Sequence, residues 1–201
     1  MARRSIGLVS LAFALALGAA PVFAGEETQG PSSAAAAAEQ IIRSAIQSPA
    51  YGEPSAPPSD RIGQIAEQMV DAVNQVRSQR GLPPVRLEPN LMRTAQDLAS
   101  DLATRHEISH YDSTGAYLGQ RLDRHGYVYA RAVENLAGGL DAPQFIVQLW
   151  ETSPEHARNL FNPAVCQAGV GFVALDPGQA QGTMPTYWVL DMASPLNGGC
   201  R

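Results

Sequence analysis

Ala168-Gly169-Val170-Gly171-Phe172-Val173-Ala174 and, beyond a Gly/Pro/Gln loop, Tyr187-Trp188-Val189-Leu190-Asp191-Met192 decide the fold class. Both runs are short, rich in β-branched and aromatic residues, and bounded by turn formers, so they read as strands. What precedes them has a different period. Ile62, Ile65, Ala66, Met69, Val70, Val73 and Val76 recur at helical spacing and make one apolar stripe. Ser59 or Asp60 can cap its start, and Gly81 with Pro83 and Pro84 ends it. A second helix opens at Pro89, with Leu91, Ala95, Leu98, Ala99 and Leu102 as its buried face. Shorter helices are expected over 117–125, 142–150 and 154–161. Helices first and a strand pair last predict an α+β domain, its helices packed on a small antiparallel sheet.

The N-terminus reads as an export signal. Arg3 and Arg4 precede an apolar run from Ile6 to Leu17, and Val22-Phe23-Ala24 places cleavage after Ala24. The run is shorter than the ~20 residues a spanning helix needs. Residues 1–24 are therefore assigned as a signal peptide, and a secreted or periplasmic protein without a stable membrane anchor is expected. Residues 25–59 are rich in Ala, Ser, Pro, Gly and Glu and read as a flexible linker, within which 34–47 can form a transient helix. The folded domain is then 60–201. Cleavage takes the formal charge from −5 to about −7, which disfavours nucleic acid as a partner. In an oxidising compartment, Cys166 and Cys200 are expected to form a disulfide.

His106-Glu107-Ile108-Ser109-His110 spells H-E-x-x-H. On a helix this spacing puts two histidines one turn apart to hold zinc, with the glutamate polarising the attacking water. Glu134 is a conceivable third ligand. Against this stands the blander reading of a solvated helix end, and a motif of this length needs structural context to count.

A longer succession shares His110. Ser109-His110, Gly115, Arg121-Leu122, Gly126-Tyr127 and Val133-Glu134-Asn135-Leu136-Ala137-Gly138-Gly139 come first. Trp150, Ser153-Pro154-Glu155-His156, Asn159-Leu160, Asn162-Pro163, Gly169-Val170-Gly171 and Tyr187-Trp188 follow. In order and spacing this resembles the bacterial branch of the CAP (SCP-like, cysteine-rich secretory) family over about 140 residues. The resemblance implies a three-layer α-β-α sandwich and a cleft where two histidines and one or two acids converge. Carried onto this sequence, these are His110, His156 and Glu134, with Asn135 and Ser153 beside them. A further glutamate of the family pattern is replaced by Ser153, and neither Glu151 nor Glu155 is an evident substitute.

Two imidazoles from separate segments can hold zinc or another divalent ion at His110 and His156. Glu134 can then bind the metal, orient a histidine or take a proton. Without metal it can set a histidine tautomer, or lock a long loop together with Asn135. Ser153 before Pro154 suits a helix N-cap better than a nucleophile. Trp150, Tyr187 and Trp188 can line a groove, although such residues usually belong to the core. The favoured function is a binding or interaction module for a metal, a small apolar ligand, a glycan or a protein partner. A monomer without established catalysis is expected. The competing reading is a zinc-dependent hydrolase or peptidase using the same cleft or the segment 106–110.

Overall fold

The computed structural model describes residues 33–47, 58–176, 178–180, 182–198 and 200. The signal peptide and its cleavage site lie outside them. Among the described residues, six helices and four strands follow one another as α1 (Ser33–Ile46), α2 (Pro58–Ser78), β1 (Arg86–Leu87), α3 (Pro89–Arg105), α4 (Leu118–Arg124), β2 (Tyr129–Gly138), α5 (Pro143–Thr152), α6 (Pro154–Leu160), β3 (Gln167–Ala174) and β4 (Thr186–Pro195). The sheet runs β1-β3-β4-β2, with β3–β4 and β2–β4 antiparallel and β1 parallel to β3. The architecture is the expected α+β sandwich. Its sheet is mixed rather than wholly antiparallel, because the two-residue β1 joins the edge of β3.

Alternation along the strands divides the core between two faces. Trp188, Leu190 and Met192 of β4, with Val170 and Phe172 of β3, pack against α1, α2, α5 and Leu160 of α6. Tyr187 and Val189 of β4, with Leu136 of β2, pack against Leu98, Ala99 and Leu102 of α3. Trp150, Tyr187 and Trp188 are all buried. They form core, and the indole N–H groups of the two tryptophans donate to Leu136 O and Leu140 O.

Helix α3 lies unusually close to β3, and Gly169 and Gly171 are the reason. A Cβ on Gly169 would stand 2.0 Å from the Leu91 carbonyl carbon, and one on Gly171 2.1 Å from Ala95 O. Residues two apart on a strand are about 6.8 Å apart, and residues four apart on a helix about 6 Å. The two glycines thus meet successive turns of one helix running along the strand. The same approach lets α3 cover the unpaired edge of β3. Gln96 accepts from Phe172 N at 3.0 Å and donates to Phe172 O at 3.1 Å, supplying both partners that a further strand would. At the other edge of the sheet, Trp150 and Asn159 donate to Leu136 O and Glu134 O of β2.

Three expectations change. Within the supposed linker, α1 is packed: Ala45 is fully buried and Ile42 rests on the same core. Alanine favours helix, and the apolar contact with the domain supplies what an isolated helix of this length lacks. Helix α2 starts at Pro58, ahead of the opening expected near Asp60. The third concerns Glu134 and Asn135, expected to lock a long loop and found instead on the ten-residue strand β2. Cys166 and Cys200 are disulfide-bonded, tying the tail beyond β4 to the residue preceding β3.

Candidate functional site

Glu134 and Asn135 are consecutive on β2 and so face opposite sides of the sheet. Glu134 points to the α3–α4 side. Its Oε1 lies 2.7 Å from His110 Nδ1, and its Oε2 is paired with the Arg121 guanidinium. Glu134 and Arg121 are almost wholly buried, whereas the His110 side chain is 57% exposed. A carboxylate on Nδ1 fixes the imidazole with the proton on that nitrogen and turns Nε2 towards solvent. Arg121, one turn into α4, also donates to His110 O at 2.9 Å and to Ala116 O at 3.0 Å. One guanidinium therefore holds both the loop after α3 and the carboxylate behind the histidine.

Asn135, on the far face, sets the other half of the site. Its amide donates to His156 O at 3.1 Å, and its Oδ1 accepts from Asn159 at 2.9 Å, which fastens α6 to β2. His156 stands on that short helix. Burial first, then the charge of His110, lowers its pKa below the ordinary histidine value, against a small opposing effect of Glu155. Asn135 is fully buried. Ser153 occupies the N-cap position of α6, and its carbonyl accepts from Ala157 N at 2.8 Å. Its hydroxyl makes no capping hydrogen bond.

The H-E-x-x-H segment does not form the helical motif. Helix α3 ends at Arg105, and His106 is its C-cap in the left-handed region at φ 56°. Without a helical turn between them, His106 and His110 do not share a face. Glu107 pairs with Arg105, and Ser109 Oγ accepts from Tyr111 N at 3.1 Å in a local turn. The motif reads correctly only if the helix continues, and its last turn is where that assumption fails.

Two residues without a role in the sequence reading belong to this site. Arg121 is one. The other is Asp191, opposite Glu134 in the β2–β4 register, fully buried and set against the Glu134 carboxyl. Burial, followed by the negative charge of Glu134, raises the Asp191 pKa well above the carboxylate range, with Arg121 opposing. In its buried position Asp191 is the neutral member of the pair, which leaves the charge on Glu134. An aspartate within an apolar strand was the available signal. Its partner is evident only once β2 is known to be a strand.

The donor set bears on zinc. Both Glu134 oxygens are engaged, leaving two imidazoles, whereas a catalytic zinc site takes three protein ligands. Among the described residues no group of three or more His, Cys, Asp or Glu is placed to hold a metal ion.

Comparison with known proteins bears on the whole arrangement. The model of the cysteine-rich secretory protein family, CAP, matches residues 70–192. An uncharacterised Bacillus subtilis protein, YkwD, is 29% identical over 143 residues, 69% of this chain and 54% of its own length. The chain thus spans about half of that curated relative. Among solved structures, an extracellular Bacillus anthracis protein containing an SCP domain superposes with a TM-score of 0.58 at 22% identity, over 70% of this chain and 45% of that one. An outer surface protein from Borrelia burgdorferi gives 0.58 at 17% identity, over 71% of this chain and 99% of that one. At these identities the structural matches speak for the fold.

Proposed function

The chain belongs to the cysteine-rich secretory protein (CAP) family, and from that premise we propose that it is an exported binding module whose cleft at His110 and His156 captures a ligand without turning it over. The observation that carries this reading is the buried Arg121–Glu134 pair locked onto His110 Nδ1. It presents one exposed imidazole in a fixed orientation and engages both carboxylate oxygens in doing so. A general base has to reach the proton it removes, and the Glu134 carboxylate is almost wholly buried behind His110, with Arg121 on its other oxygen. Neither Ser109 nor Ser153 is bonded to a histidine, so no nucleophile–base pair forms among the described residues. The apolar run and the small residues before Gly25 support export, as do the disulfide and the similarity to a protein described as extracellular.

Zinc enters this reading as an exchangeable ligand of the two imidazoles. Titration of the mature chain from Gly25 with zinc is expected to show weak binding that His110→Ala and His156→Ala each abolish and His106→Ala leaves intact. Peptide and ester substrates are expected to stay uncleaved. Zinc binding that needs His106 but not His156, or hydrolysis lost in Glu134→Gln, would refute the proposal.

A further inference from the structure

All 14 Lys and Arg positions of this acidic chain are arginines. Among the described residues, Arg43, Arg105, Arg121 and Arg124 pair with carboxylates, and Arg77 is buried against backbone carbonyls. Of the exposed arginines that pair with no carboxylate among those residues, Arg80, Arg131 and Arg158 gather at one place. Arg131 of β2 and Arg158 of α6 line a groove of about 610 Å³ whose apolar floor includes Val133, Phe161 and Pro163. Arg80 stacks on Phe161 at 3.8 Å from the ring centroid. Val133 packs with the α2–α5 face, so the groove opens on the side of β2 away from Glu134. It is a surface distinct from the cleft at His110.

We infer that this groove docks a short acidic and apolar peptide segment of a partner protein. Three exposed guanidinium groups beside one groove favour an anionic occupant, and a guanidinium fork matches carboxylates two oxygens at a time. The floor decides the rest. A bare anion would leave Val133, Phe161 and Pro163 wet, whereas alternate apolar side chains of an extended peptide would cover them. The volume falls within the range of pockets that hold small ligands or short segments. Nucleic acid is disfavoured by the net charge, and one face of Phe161 is already taken by Arg80.

The test is selection of a random heptapeptide library on the full chain at about 0.15 M salt. Enriched sequences are expected to carry at least two Asp or Glu interleaved with Leu, Ile or Phe. A synthetic peptide of the leading sequence should bind at least about tenfold more weakly to the Arg131→Gln/Arg158→Gln double variant. Both positions are exposed, so that variant should melt with the wild type, and His110→Ala should bind the peptide normally. No enrichment, basic or neutral leading sequences, or equal binding by the double variant would overturn the inference. So would loss of binding in His110→Ala, or full displacement by millimolar inorganic phosphate, which would identify a bare anion site.

Discussion

Substituting alanine for Gly169 tests how α3 is held against the sheet, because the added atom meets backbone and not a side chain that can turn away. The Cβ would lie 2.0 Å from Leu91 C, 2.2 Å from Leu91 O and 2.5 Å from Met92 N. Ordinary carbon contact needs ~3.5 Å, so α3 must retreat by roughly 1.5 Å. That retreat opens the contact of Leu98, Ala99 and Leu102 with Tyr187 and Val189. It also lengthens the Gln96–Phe172 bonds that close the edge of β3. Inserting one carbon into a packed core costs about 1–3 kcal/mol. With a backbone clash added, about 3 kcal/mol or more is expected, which lowers Tm by roughly 10 °C in a domain of this size. Gly171→Ala should behave alike, since its Cβ would stand 2.1 Å from Ala95 O. Gly63 supplies the control. It lies within α2, with nothing inside 4 Å of the position a Cβ would take, so Gly63→Ala should stabilise by about 0.5–1 kcal/mol. Urea and thermal unfolding of the three variants measure these effects. A Gly169→Ala protein within about 1 kcal/mol of wild type would refute the close-approach account.

The buried cluster and the tail make further predictions. Asp191 titrates higher when folded than in the unfolded chain, so its stabilising contribution is present below about pH 4 and is lost as pH rises through its folded value. Asp191→Asn should therefore gain on wild type in urea midpoint from about pH 4 to pH 8, and a constant difference would contradict a neutral Asp191. Arg121→Leu leaves the Glu134 carboxylate buried without its partner and should cost about 3–5 kcal/mol in chemical unfolding; wild-type stability would contradict the ion-pair assignment. The disulfide closes a loop with a sequence separation of 34, and Cys166→Ser/Cys200→Ser should lose about 3–4 kcal/mol in unfolding under otherwise identical conditions.

The α+β class, α3, strands β3 and β4 and the disulfide pairing were legible in the sequence because each rests on a local or compartmental rule. The stripe from Ile62 to Val76 is helical by period alone, and Pro89 announces the start of α3, where the structure adds Glu88 as the N-cap accepting from Leu91 N at 2.7 Å. His110, Glu134 and His156 were also legible as candidates, through the resemblance of the surrounding motifs. Tertiary structure decided what those residues do. Strand β2 escaped a local reading because its polar residues are accommodated by partners distant in sequence: Arg121 for Glu134, and His156 O and Asn159 for Asn135. The packing of α1 depends likewise on a core supplied by α2 and α5. His106-Glu107-Ile108-Ser109-His110 shows the converse, a local pattern whose meaning vanished when the helix stopped at Arg105. Periodicity determines which residues are buried, because it depends on backbone geometry alone. Which buried charges meet, and which imidazole they turn outward, depends on contacts across the sheet.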